Sequence, residues 1–165
     1  MSKTALILGI TGQDGSYLAD HLLALGYKVH GTYRRSSVDN LSRIRHIIDR
    51  VVLYPADLAY GQSIERAVNE CKPNEIYNEA DQDHVGFSRA TPQVSIDITA
   101  GAVQRLLETV RKVVPKCKVF QPLSATMFGK PCNGEDTLNE RSELHPASPY
   151  ACAKVAAWYL CKHYR

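Results

Sequence analysis

The sequence predicts an α/β fold in which a doubly wound parallel sheet carries helices on both faces, and three observations predict it. Short apolar runs alternate with amphipathic stretches along the whole chain, the pattern of strands joined by crossover helices. The first apolar run ends in a three-glycine turn that leads straight into a helical pattern. The Gly/Pro/Asn-rich connection at 129–149 follows the fifth predicted strand, on the side where open α/β sheets place their ligands. The expected strand order is 3-2-1-4-5.

Taken in order, residues 3–9 (Lys3-Thr4-Ala5-Leu6-Ile7-Leu8-Gly9) form a continuous apolar run ending in glycine, as in a strand buried on both faces. Leu18, Leu22 and Leu25 recur at helical spacing over 16–25, and Gly26 marks the stop. A strand over 28–33 follows, then a short helix over 40–49 carrying Leu41, Ile44, Ile47 and Ile48, then a strand over 51–54. Ile64, Ala67, Val68 and Cys71 mark the next helix, and 75–78 the fourth strand. A long helix carries Ile96, Val103, Leu106, Leu107 and Val110, 118–123 is the fifth strand, and 148–164 the last helix. Ser148-Pro149 suits its N-cap and first helical position.

With 165 residues, 44% hydrophobic and 22% charged, the chain reads as one ordinary globular domain, which excludes disorder, collagen-like repeats and coiled coil as descriptions of the whole. Lys+Arg 20 against Asp+Glu 17 leaves +3, too small a surplus to suggest a nucleic-acid surface. Apolar stretches such as 4–10 fall far short of a membrane span, and the N-terminus shows no signal-peptide pattern, so no membrane partner and a cytoplasmic location are expected. The five cysteines, Cys71, Cys117, Cys132, Cys152 and Cys161, are odd in number and contain no Cys-x-x-Cys pair, so neither a disulfide framework nor a metal site is expected.

Gly9-Ile10-Thr11-Gly12-Gln13-Asp14-Gly15 lies between the first strand and the first helix. Glycines there let the backbone turn sharply and approach a pyrophosphate, whose charge then sits at the helix N-terminus. Gly9, Gly12, Gln13, Asp14 and Gly15 are therefore candidate dinucleotide-binding residues. After the second strand, where NAD-binding proteins usually place a carboxylate for the ribose hydroxyl, the chain reads Tyr33-Arg34-Arg35-Ser36-Ser37. Two guanidiniums and two hydroxyls suit a 2′-phosphate, so the expected cofactor is NADP. Asp57-Leu58, after the third strand, either holds the adenine edge or ends the strand in a turn.

Tyr150 and Lys154 are four residues apart, on one face of the last helix, with Ser124 at the end of the fifth strand. A phenol titrates near 10 in water, so one that accepts protons near neutrality needs a positive neighbour. Ser124 would share the hydrogen bond to a substrate hydroxyl.

These residues resemble the extended short-chain dehydrogenase/reductase superfamily of nucleotide-sugar epimerases and dehydratases. Within it, residues 9–20, the Arg-Arg-Ser-Ser loop at 34–37, Ser42-Arg43-Ile44 and Met127-Phe128-Gly129-Lys130 look most like the GDP-mannose 4,6-dehydratase family. The resemblance implies a Rossmann-type NADP-binding domain over 1–165, truncated before a C-terminal substrate domain. It implies NADP held by Gly9, Gly12, Gly15, Arg34, Arg35 and Asp57, with Ser124, Tyr150 and Lys154 as catalytic trio. It also implies a GDP-linked sugar as substrate, oxidised at C4 and dehydrated across C5/C6. Helices 94–114 and 148–164 pair between subunits in this superfamily, which implies a homo-oligomer, dimer or tetramer; one-sided helices equally pack on their own sheet.

Two departures bear on the chemistry. The dehydratase pattern has Ser/Thr-Ser-Glu before Met-Phe-Gly, whereas this chain has Ser124-Ala125-Thr126, so Thr126 stands where the C5 base is expected. A neutral hydroxyl is a poor substitute for a carboxylate, and Ser-Ala-Thr is similar to the UDP-glucose 4-epimerase pattern. After the fourth strand, residues 78–85 match the dehydratase motif at Asn78, Ala80, Gln82, His84 and Val85 but carry acids at Glu79, Asp81 and Asp83. Asp83 is a candidate substitute acid or base, against a solvated loop carboxylate. His84 is either a general base or a hydrogen-bond partner that orders its loop. Three readings stand: a dehydratase, an epimerase or reductase on a similar sugar nucleotide, and a non-catalytic NADP-binding module.

Overall fold

A computed structural model of the protein describes residues 2–129 and 137–165, so Lys130, Cys132 and the 130–136 part of the predicted connection lie outside the described residues. The chain divides into two compact units, one of Met1–Asp81 and Arg105–Pro122, the other of Gln82–Gln104 and Leu123–Arg165. No described helix is long and apolar enough to cross a membrane.

The first unit holds the sheet. Strands β1 (Thr4–Leu8), β2 (Lys28–Tyr33), β3 (Val51–Pro55), β4 (Glu75–Asn78) and β5 (Lys118–Phe120) run parallel in the order β3-β2-β1-β4-β5, as expected from the alternating pattern. Because strand side chains alternate, β1 feeds two cores. Ala5 and Ile7 point to one face, where α1 (Gln13–Ala24) supplies Ala19 and Leu22, and Ile44 and Ile47 join them. Leu6 and Leu8 point to the other, against Ile64, Ala67, Val68 and Cys71 of α2 (Gly61–Cys71) and Leu106 and Val110 further along the chain. Each of these large aliphatic side chains removed from water contributes about 2 kcal/mol. At the amino ends of the strands the Lys3 ammonium meets Glu75 Oε1 at 3.0 Å, and the Tyr77 hydroxyl donates to Glu75 Oε2 at 2.9 Å.

The second unit is helical: α3 (Val85–Ala90), α4 (Pro92–Ser95), a π-helical stretch (Ile96–Gly101), the start of α5 (Ala102–Val113), whose residues from Arg105 on belong to the first unit, a 3₁₀ turn (Ala125–Phe128) and α6 (Pro149–Tyr164). α6 packs on the π-helical stretch, α3, α4 and the 3₁₀ turn. Its buried side sets Ala151, Ala153 and Ala157 around Tyr150 and Lys154, and the buried Ser88, Ser95, Thr99 and Ala100 are small too. Small residues let helix backbones approach closely, and buried hydroxyls need partners. Ser88 Oγ donates to the Val85 carbonyl at 2.6 Å, and Ser95 Oγ to Gln82 Oε1 at 3.1 Å.

Four elements differ from the sequence reading. The helix read from residue 16 begins at Gln13, with Gly12 as its N-cap. The segment read as a short helix over 40–49 is a 3₁₀ helix, Ser42–Arg50. Leu41, Ile44 and Ile47 recur at intervals of three, which suits three residues per turn. The long helix read over 94–114 starts at Pro92, which cannot continue α3, and passes through the π-helical stretch before α5. The fifth strand stops at Phe120: Gln121 turns its side chain to Asn78 (2.7 Å), and Pro122 has no N–H for a ladder.

Candidate active site

In the first unit the carboxyl ends of the strands form a cradle made of backbone. Gly9 has φ +79°, in the left-handed region, and a Cβ there would stand 3.0 Å from Ala80 Cβ. A Cβ on Gly15 would fall 2.4 Å from the Gly9 carbonyl oxygen and 3.0 Å from Ile10 Cα. The Gly12 N–H donates to the Gly9 carbonyl at 2.9 Å, closing the turn. Gly9 N–H donates to Thr32 Oγ1 and Ile10 N–H to the Thr32 carbonyl, each at 3.1 Å, which ties the turn to the end of β2. Gly12 offers no side chain to cap α1, so the helix presents backbone N–H groups at its amino end. Gln13 and Asp14 are exposed on that first turn.

Arg34 and Arg35 follow β2 and are exposed; the Arg34 carbonyl accepts from Asn40 Nδ2 at 2.6 Å. Within this loop Val38 N–H donates to Ser36 Oγ and Leu41 N–H to Asp39 Oδ1. After β3, Asp57 N–H donates to Ser63 Oγ at 3.0 Å, and Asp57 Oδ1 accepts from Ala59 N–H at 2.9 Å. The Leu58 carbonyl accepts from Arg105 Nη2 at 2.8 Å. Ser63 and Arg105 were not among the residues singled out from sequence. Each lies in an amphipathic helix with nothing in its neighbours to mark it.

In the second unit Ser148 caps α6, its hydroxyl accepting from Ala151 N–H at 3.1 Å, and Pro149 takes the first helical position, as read from sequence. Tyr150 and Lys154 are 6% and 3% exposed, with Lys154 Nζ 5.6 Å from the Tyr150 ring centroid. A buried ammonium against a phenol ring is costly unless the charge serves or is served by its neighbours. Ser124 Oγ and Thr126 Oγ1 share a hydrogen bond of 2.9 Å. Their turn is held from behind, since His145 N–H donates to the Met127 carbonyl at 3.0 Å. Gly129 has φ +63°, and a Cβ there would lie 2.0 Å from the His145 carbonyl oxygen. Asp83 is exposed. His84 caps α3, its Nδ1 accepting from Phe87 N–H at 2.9 Å, a hydrogen bond that orders the loop.

Comparison with known proteins finds relatives over nearly the whole chain. The family model described as GDP-mannose 4,6 dehydratase matches residues 6–165. GDP-mannose 4,6 dehydratase 2 of Arabidopsis thaliana is 42% identical across 99% of this chain and 46% of its own length. The GDP-mannose 4,6-dehydratase of Vibrio cholerae is 39% identical across 100% of the chain and likewise 46% of its own. The chain thus spans about half the length of the curated relatives it matches. Among solved structures, the UDP-glucose 4-epimerase of Thermus thermophilus in complex with NAD superposes with a TM-score of 0.84 at 26% identity, over 98% of this chain and 50% of that one. The cradle, the sheet order and nearly the full run of residues agree with one assignment: this chain belongs to the GDP-mannose 4,6-dehydratase family.

Proposed function

We propose that this chain forms the cofactor-binding part of a nucleotide-sugar dehydratase, with NADP as cofactor and GDP-mannose as substrate. The observation that carries the reading is the buried Lys154 beside the buried Tyr150 at the start of α6. A lysine held against a tyrosine is what proton exchange with a sugar hydroxyl calls for, and a mere binding module has no use for it.

The residues present fit the cofactor. A Cβ on Gly15 would strike the Gly9 carbonyl, so glycine there lets α1 start close against the end of β1, and its uncapped N–H groups would attract the charge of a pyrophosphate. Gly9, Gly12, Gln13, Asp14 and Gly15 would line the pyrophosphate, Arg34 and Arg35 the 2′-phosphate, and Asp57 and Leu58 the adenine edge. The NAD complex of the epimerase relative supports a nicotinamide dinucleotide. A nicotinamide ring supplies a reversible hydride acceptor for the sugar's C4.

In this reading Tyr150 Oη, as a phenolate paired with the Lys154 ammonium, takes the proton from the sugar O4 and becomes the neutral phenol. Ser124 Oγ holds O4 in line by hydrogen bonding. The 4-ketone acidifies the C5 hydrogen, and loss of water across C5/C6 then needs a base. Thr126 offers a hydroxyl engaged with Ser124, which favours a second reading: 4-epimerisation, where no C5 base is required. The mass of GDP-mannose after incubation with the protein and NADP⁺, with isomers separated, tests both. Loss of one water supports the dehydratase; unchanged mass with a new isomer supports the epimerase; an unchanged substrate overturns both for this sugar.

A further inference from the structure

We propose that Arg105 is a positioning residue for the adenine end of the dinucleotide, acting through the turn after β3; the inference rests on the cofactor reading above. Asp57 and Leu58 make up that turn, and three groups set its shape: the Asp57 carboxylate on Ala59 N–H, the Ser63 hydroxyl on Asp57 N–H, and Arg105 Nη2 on the Leu58 carbonyl at 2.8 Å. The first two are local, reaching two and six residues along the chain. Only Arg105 comes from a distant part of the chain, 47 residues away on α5.

Its path is specific. To reach Leu58 the side chain crosses the first residue of α2, and a Cβ on Gly61 would stand 2.8 Å from Arg105 Cδ. Gly61 has no left-handed φ to explain it, so the space it leaves for Arg105 is its visible role. The electrostatics also argue against a purely structural bond. A cation at the amino end of a helix opposes the helix dipole, so for stability alone a carboxylate would be preferred there. A guanidinium pays that cost while fixing a carbonyl whose residue is read as lining the adenine edge, and its planar fork holds the acceptor in one orientation.

Isothermal titration of the purified protein with adenosine 2′,5′-bisphosphate and with NADPH tests this. The unmutated protein is expected to bind both. Arg105→Ala weakens both by about tenfold, the worth of one hydrogen bond from a charged donor. Arg105→Lys, which keeps one donor, recovers most of the loss. Gly61→Ala weakens binding alone but adds nothing to Arg105→Ala, because the displaced side chain is already gone. Unchanged affinity in Arg105→Ala, no recovery with lysine, or additive losses in the double variant overturns the inference and leaves the cofactor reading standing. Failure of the unmutated protein to bind either probe overturns both. Should Arg105→Ala fail to fold, Gly61→Ala and Arg105→Lys carry the decision.

Discussion

The glycine turn of the first unit and the Tyr150–Lys154 pair of the second are built from opposite materials. The turn works through missing side chains: Gly15 has no room for a Cβ beside the Gly9 carbonyl, and Gly9 adopts a left-handed φ. The pair is made of side chains that are present and buried, a lysine and a tyrosine withdrawn from water on a helix of small neighbours. The surroundings differ to match. The turn grows out of a sheet whose two cores are large aliphatics, so the backbone is held stiffly. The second unit buries mostly small residues and hydroxyls, so helix backbones come close and carry polar groups between them. A backbone site therefore breaks when bulk is added, and a side-chain site when one functional group is removed.

That contrast is sharpest at Gly15. Gly15→Val drives a branched side chain into the Gly9 carbonyl and is expected to abolish dinucleotide binding and to destabilise the fold by about 3 kcal/mol or more; titration and thermal melting measure both. Tyr150→Phe makes the opposite test. It removes one oxygen and keeps the ring, so turnover should fall roughly 10²- to 10⁴-fold with the melting temperature little changed, and a comparable loss of stability would sink the distinction. Ser148→Ala, which deletes the α6 cap beneath Tyr150, should cost about 1 kcal/mol and lower activity through the helix start; urea unfolding measures it.

The smallest effect concerns the far end of the first unit. The Lys3 hydrogen bond, helped by those from Tyr77 and Tyr27, holds the Glu75 carboxyl below the usual carboxylate range although burial opposes it. A carboxyl depressed on folding adds stability above its unfolded value of about 4.3, and that stability is lost as pH falls through the lower folded value. Glu75→Gln should therefore flatten the acid limb of the stability profile and leave dinucleotide binding at neutral pH as it was. A binding loss would mean that the two ends of the sheet are not independent.

Much of this was legible in the sequence, and unevenly so. Strand identity followed from apolar runs, most clearly for β1, which is buried on both faces, and strand order from the alternation of strands with crossover helices. The 3₁₀ helix at Ser42–Arg50 was written in the three-residue recurrence of Leu41, Ile44 and Ile47, yet the same apolar residues also fit a short α-helix, and Pro92 marked the start of α4 just ahead of the helix read over 94–114. The π-helical stretch carried no signal, since its register depends on what packs against α6. Likewise nothing near Arg105 in the chain points to Leu58.

What the sequence determined by itself were the features set by local rules: which segments are strands or helices, where glycine must stand, and that Ser148-Pro149 opens a helix. These rest on backbone geometry and periodicity over a few residues. Tertiary structure alone decided that Lys154 is buried beside Tyr150, that Thr126 is engaged by Ser124, and that Arg105 reaches Leu58 past Gly61. Burial and hydrogen bonding between distant residues depend on how elements pack, and packing is a property of the folded chain.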